Sequence, residues 1–259
     1  HISNRLCELW DWRQANGRFR QIACRDLLRR LEGRGLIELP PRLRVARRAG
    51  YRHRSQAPDF LNRTPLQGKL GEFRDELSIQ LVSDSKQLSL YRALVGTYHY
   101  LGYQQATGAQ LKYLAYWQDR PVACLSFGPA AWKISPRDQF IGWSAECRGH
   151  NLRWVVNNER FIIVPWVQIQ CLASFLLARV VRQLRRDWQR IYGHDLALAE
   201  SFVERERFAG CAYSAAHWIC VGQTLGRGRN DRRHEQPVSL KTIWLYPLRG
   251  DFRTRLCQR

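Results

Sequence analysis

The sequence predicts a mixed α/β (α+β) protein, a central mixed sheet with helices packed on it, preceded by a small basic helical module. Three observations carry this. The first is the stretch from Asn157 to Trp188, where an apolar run, Phe161-Ile-Ile-Val164, meets Pro165, crosses a polar turn and enters a long helix. At about 100° per residue, Ala173, Leu177, Val180, Leu184, Trp188 and Ile191 share one face of that helix, and Arg179, Arg182, Arg186 and Arg190 line the opposite one. A buried strand feeding an amphipathic helix is half of an α/β unit. The second observation is a hairpin: Leu111 to Trp117 and Val122 to Phe127 read as strands joined at Gln118-Asp-Arg-Pro121. The third is the order of elements in the first 45 residues.

There, Ile2, Leu6 and Leu9 mark one helix, ended near Asn16-Gly17, and Cys24, Leu27, Leu28 and Leu31 mark a second. Gly35 stands where a helix is closed by a left-handed residue. Leu36-Ile-Glu-Leu39 then predicts a short strand ended by Pro40-Pro41. Helix, turn, helix and strand with a basic tail is the order of a winged helix. Arg25, Arg29 and Arg30 would face a DNA groove, and Arg42 and Arg44 would hold phosphates. The expected division is a winged-helix-like module over 1–48, a basic linker over 49–70 and a core domain over 71–259.

Within the core, Leu77 to Val82 alternates like a strand, and Ser83 or Asp84 caps a helix whose face is Leu88, Tyr91, Val95 and Tyr98. Residues 137–160 are dense in Arg, Asn and Trp without clear periodicity. Leu196 to Val203 reads as a strand, Gly210 to Trp218 as a short helix, Ile219 to Leu225 as a strand, Gly226-Arg-Gly-Arg229 as a basic loop and Ile243 to Tyr246 as an edge strand.

A formal net charge of +20, carried mostly by arginine, points to a polyanionic partner, DNA before a membrane surface. Arg179 interrupts the longest apolar run, so a membrane span is not expected. The opening His1-Ile-Ser-Asn has no Met, and upstream residues are expected. The eight cysteines include no Cys-x-x-Cys pair, which fits a reducing cytoplasm and small core residues rather than zinc. Neither a Walker A pattern nor Gly-x-Gly-x-x-Gly is present, so an ATP-driven step would need a partner.

Tyr98-His-Tyr-Leu-Gly-Tyr103, Arg137-Asp138, Ile141-Gly-Trp-Ser144, Asn151-Leu152, Asn157-Asn158 and Arg160-Phe161 resemble motifs of one bacterial family. So do Pro165-Trp-Val167, Leu172-Ala-Ser174, Asp187-Trp188, Tyr192-Gly193, Glu200-Ser-Phe-Val203, Tyr213, Trp218, and Gly222 through Arg229. The family is DruA, a component of the Druantia anti-phage defence systems, and the resemblance covers nearly the whole chain. His217 departs from it, standing where Asn is expected. The resemblance implies work on DNA in prokaryotic defence or in mobile elements, beside a helicase-like partner or a transposase region; it carries no set of catalytic residues. The order of core elements also resembles the GNAT acetyltransferase fold, in which the turn before the long helix, Gln/Arg-x-x-Gly-x-Gly/Ala, cradles the pyrophosphate of acetyl-CoA. Gln168 and Ala173 fit that pattern, but Cys171 replaces a glycine and argues against the cofactor.

Three functions are weighed on these residues. A DNA-recognition protein would use Arg137, Arg148, Asn151, Asn157, Asn158, Arg160, Arg227 and Arg229, a set with the groups for phosphate contact and base-edge reading on duplex or single strands. A DNA-processing enzyme would use Asp138, Glu200 and Glu204 around a divalent metal. An N-acetyltransferase would use the turn at Gln168–Ala173.

Overall fold

The computed structural model describes residues 2–13, 19–40, 61–105, 108–226 and 239–258. They fall into two units, His1–Tyr51 and Arg52–Arg259.

The first unit holds α1 (Ile2–Leu9) and α2 (Gln21–Gly33). Cys7 and Cys24, both fully buried, are its centre, with Ser3 one turn from Cys7. The buried face of α1 is therefore Ser3–Cys7 and not Ile2–Leu6–Leu9; Ile2 and Leu9 are exposed. Gly35 is left-handed at φ 69°, and the Gly35 and Leu36 N–H groups close the end of α2 on Glu32 and Leu31. Leu36–Leu39, expected as the strand of a wing, forms none. With Gly35 turning the chain and exposed Leu36 burying nothing, no strand partner rewards an extended pairing there. Arg25, Arg29 and Arg30 are exposed on α2, whereas Arg42 and Arg44 lie outside the described residues.

The second unit runs β1 (Leu66–Lys69), β2 (Leu77–Leu81), α3 (Ser85–Tyr98), β3 (Leu111–Trp117), β4 (Arg120–Pro129), α4 (Ser135–Ile141), α5 (Ala145–Asn151) and β5 (Val155–Ile163). It continues with β6 (Val167–Gln170), α6 (Leu172–Tyr192), β7 (Leu198–Glu204), α7 (Cys211–Ala215), β8 (Ile219–Gln223), β9 (Lys241–Pro247) and α8 (Phe252–Cys257). The described strands form a mixed sheet in the order β2-β3-β4-β5-β7-β9-β8, in which β5 and β7 are parallel and the other neighbours antiparallel. The expected central mixed sheet is thus present. The last strand differs: β9 is inserted between β7 and β8 and is internal, so β8 takes the edge. Ile243 and Leu245, both fully buried, explain why an interior place suits it.

The strand alternation sorts the core onto two faces. Tyr113, Leu125, Val156 and Ala199 meet Leu177, Val180, Leu184 and Trp188 of α6 on one face. On the other, Leu114 and Cys124 pack with Tyr91 and Leu94 of α3, while Val155, Leu198 and Leu245 pack with Ile141, Cys147 and Phe252 of the three short helices. The amphipathic reading of α6 holds in its middle, although Ile191 at its end is exposed and Asp187 is buried. Asp84 caps α3 by accepting the Gln87 N–H at 2.8 Å.

Two stretches read as connections are strands. β1 comes from the expected linker, and β6 from the expected turn before α6; they pair in parallel, Leu66 opposite Val167 through Lys69 opposite Gln170. Cys171 follows β6 at φ 63°, the left-handed conformation a glycine takes at least cost, and opens α6 without a side-chain cap. His217 is likewise left-handed at φ 62°, in the turn after α7 and outside the helix expected to contain it. Asparagine tolerates that conformation, which gives a physical reason for expecting it at this position. Half of the cysteines expected as core residues are exposed: Cys171, Cys211, Cys220 and Cys257.

Candidate functional site

The parallel pairing of β5 and β7 is short, Val155–Asn158 against Leu198–Ser201. In its last two registers Asn157 stands opposite Glu200 and Asn158 opposite Ser201, so two of the sequence motifs meet at one junction of the sheet.

On the face of α4, Glu200 and Arg137 are both fully buried and joined at 2.8 Å. The other Glu200 oxygen accepts the Ala131 N–H at 2.7 Å. Arg137 donates further to the Ala131 carbonyl and, through Nε and Nη2, to Asp138, which also accepts from Trp143 and Arg148. Burial pushes the Glu200 carboxyl above its ordinary range, with the Arg137 guanidinium and the Ala131 N–H pulling it back. Each partner offsets the desolvation of the next. On the face of α6, the Tyr213 hydroxyl donates to Asn158 Oδ1 at 2.7 Å and accepts from Ser201 at 3.0 Å, while Asn158 Nδ2 donates to the Ser126 and Arg160 carbonyls. Burial pushes the Tyr213 phenol up to about 12. This network is neutral and internally paired.

Several residues expected at a nucleic-acid surface are therefore interior. Arg137 and Asn158 hold the junction, and buried Asn151 donates to the Leu256 and Gln258 carbonyls, tying down α8. Arg148, pairing with Asp138 at 3.1 Å, is also mostly buried. A phosphate would have to displace satisfied partners at each of them. Asn157 and Arg160 line a cleft of about 270 Å³, and Arg227 and Arg229 lie outside the described residues. Trp143 is core, its indole N–H on Asp138.

The three carboxylates do not assemble either. Asp138 and Glu200 are bound to Arg137, and Glu204, at the far end of β7, pairs with Arg207 at 3.4 Å. Among the described residues no group of three or more His, Cys, Asp or Glu is placed to hold a metal ion. The oxygens of Asp138 and Glu200 already accept N–H donors, so this donor set does not fit a divalent cation.

Past Asn158 and Ser201 the two parallel strands are no longer paired, and a cavity of about 590 Å³ opens between them. Tyr98, Phe161, Phe202, Phe208, Ala173 and Tyr213 line it, with His99 and Glu204 among its polar groups. Burial, and then the Arg160 charge, lower the His99 pKa to about 4, and its Nδ1 accepts the Leu101 N–H. Gly210, left-handed at φ 78°, borders the cavity where a Cβ would lie 2.5 Å from the Trp244 ring.

The exposed cations stand elsewhere. Arg179, Arg182, Arg186 and Arg190 form the solvent face of α6, and the Arg186 and Arg190 side chains are 77% and 65% exposed. Their contacts to Asp187, at 3.7 and 3.8 Å, are long. A groove of about 540 Å³ runs beside them, lined by Arg182, Arg185, Arg186, Gln189 and Leu248. The helical spacing of this ridge is legible in the sequence, but residues 137–160 drew attention from it because arginine and asparagine are densest there.

The model of the family described as Druantia protein DruA matches residues 36–235. The chain belongs to the DruA family. Membership makes it a component of the Druantia type of defence system, as the motifs implied, and the matched span takes in the whole β5–β7 junction. No curated protein matches the sequence. Among solved structures, the chain is similar to the spermidine/spermine N-acetyltransferase SpeG from Vibrio cholerae, at 12% identity and a TM-score of 0.45, over 71% of this chain and 98% of that one. It is also similar to the ribosomal-protein-S18-alanine N-acetyltransferase from Escherichia coli, at 10% identity and a TM-score of 0.44, over 66% and 94%. Both of these proteins are N-acetyltransferases.

Proposed function

We propose that this chain is the nucleic-acid-binding component of its defence system and that it holds the polyanion along the exposed face of α6. The observation that carries the reading is the arginine ridge. α6 contains five arginines and one acidic residue, and four of the five face solvent while Arg185 is committed to Asp195. At 1.5 Å of rise per residue the ridge from Arg179 to Arg190 is about 16 Å long, the axial rise of about five base pairs of duplex. The net charge of +20 adds a general attraction for a polyanion.

Fluorescence anisotropy of labelled duplex and single-stranded DNA, titrated with the full chain from 50 to 300 mM salt, tests it. These concentrations are chosen as roughly the range over which counterion release dominates. The expected result is a steep fall in affinity with salt, and a flat curve would contradict the proposal.

A second reading, acetyl-CoA-dependent transfer, is favoured by the cavity between β5 and β7, which opens near the start of α6. Two features oppose it. The turn that would cradle a pyrophosphate is largely a strand paired with β1, and Cys171 puts a side chain where close approach of backbone is needed. Calorimetry with acetyl-CoA separates the readings: heat of binding would favour transfer, and its absence would remove it.

A further inference from the structure

A second cleft, distinct from the arginine ridge, lies between α3 and the middle of the sheet and borders the apolar cavity at Leu101, Asn158 and Phe202. Its volume is about 270 Å³, just under the range of pockets that hold drug-sized ligands. Three polar atoms of the residues that line it, each shielded from solvent, have no hydrogen-bond partner: Tyr91 Oη, Ser126 Oγ and Asn157 Oδ1. Tyr91 and Ser126 are each 1% exposed. The two hydroxyls influence one another without reaching hydrogen-bond geometry. Were Tyr91 to donate to Ser126, the Ser126 proton would still lack an acceptor. Native interiors seldom leave such groups unmatched; of the nine unmatched among the described residues, three belong to the lining of this one cleft, which favours a polar ligand there.

The rest of the wall narrows its chemistry. Lys112, Arg160 and Lys241 face one carboxylate, Glu159, which favours a ligand with an anionic group. Arg160 is fixed by the Gly102 and Glu159 carbonyls, and Glu159 accepts from Gln110, which accepts from Lys112. Lys112 is thus held by a relay of side chains and Arg160 by two backbone carbonyls. Burial, and then the Arg92 charge, lower the Lys112 pKa, so an arriving anion relieves an existing repulsion. The uncharged donors and acceptors are framed by the rings of Tyr91, Tyr103 and Phe202. A flat heteroaromatic group with both donor and acceptor edges, joined to a phosphate, meets all of these conditions.

We infer that this cleft is a nucleotide pocket, which takes one unpaired base with its phosphate. The inference deepens the nucleic-acid reading and, for its source in a DNA strand, rests on it. A base drawn out of a stack loses stacking energy and regains it from a snug aromatic and polar pocket.

The test uses the full chain with three probes: an oligonucleotide carrying one unpaired 2-aminopurine, the four nucleoside 5′-monophosphates, and ribose 5-phosphate. Saturable enhancement of 2-aminopurine fluorescence, absent from the fully paired duplex, is expected. Asn157→Ala and Lys241→Gln should each weaken it about five- to tenfold, the loss of one hydrogen bond to a charged or polar ligand group. Asn157→Ala serves also as a fold control. Because it removes an unpartnered buried acceptor, the free variant should melt no lower than the parent. A strand from which the base is taken should outcompete free monophosphates. The reverse order, with monophosphates raising the melting temperature and no oligonucleotide bound, keeps the pocket and rejects the nucleic-acid reading. An oligonucleotide that is bound by anisotropy with no fluorescence change overturns the pocket and leaves that reading standing. Equal stabilisation by ribose 5-phosphate and the monophosphates also overturns it, since the base would then go unread.

Discussion

Replacing Glu200 by alanine should be among the most damaging single changes to the second unit, although Glu200 touches no solvent. The side chain accepts one bond from Arg137 at 2.8 Å and one from the Ala131 N–H at 2.7 Å. Its loss leaves a fully buried guanidinium with Asp138 as its remaining counter-charge and strands a backbone donor. Breaking a buried pair from one side costs about 3–5 kcal/mol, against a total stability of about 5–15 kcal/mol. For a unit of this size that is a fall of about 6–20 °C in melting temperature. Circular dichroism and tryptophan fluorescence, followed through heating and through urea, should report it together. Glu200→Gln, which keeps a carbonyl acceptor, should lose less, and Arg137→Met combined with Glu200→Leu should recover much of the loss. Folded Glu200→Ala, held well below its midpoint, should bind DNA as the parent does. A melting shift of less than about 2 °C, or lost binding in fully folded protein, would refute the structural role.

Other expectations follow from single groups. The folded His99 pKa of about 4 lies below its unfolded value of about 6.5, so the folded state binds fewer protons between them. Stability should therefore fall as pH drops from about 6.5 toward 4, by about 1–2 kcal/mol after allowing for partial exposure, and His99→Asn should flatten that slope in urea titrations. Cys171→Gly relieves a left-handed side chain at the start of α6 and should raise stability by up to about 1 kcal/mol, net of the flexibility glycine adds to the unfolded chain. An unchanged or lower urea midpoint would show that Cys171 sits there without strain.

The fold was legible wherever periodicity was strong. The hairpin of β3 and β4, the cap of α3 and the buried face of α6 all follow from local pattern. What escaped depended on distant partners. β1 and β6 have four residues each, with one apolar side chain in the first and two in the second, and each becomes a strand only because the other lies beside it across a hundred residues. The interior place of β9 likewise depends on β8 passing to its outside.

The candidate site was misread for a related reason. Arginine and asparagine are usually exposed, so Arg137, Asn151 and Asn158 looked like a surface. Their partners, Glu200, the Leu256 carbonyl and Tyr213, lie more than fifty residues away and could not be paired with them by spacing. The bulge after Ser126, which shifts the β4–β5 register beside the polar cleft, left no mark in the local sequence. The α6 arginines combine a helical period with an exposed face, as do Arg25 and Arg29 of α2, and that pattern is legible in the sequence.

The most direct test compares the parent with a variant in which Arg179, Arg182, Arg186 and Arg190 are all alanine, measuring DNA affinity against salt. Four lost phosphate contacts predict that the slope of log affinity on log salt becomes shallower by about 3–4 for duplex, with the melting temperature unchanged within about 2 °C. An unchanged slope in the folded variant would contradict the account and move the contact surface away from α6.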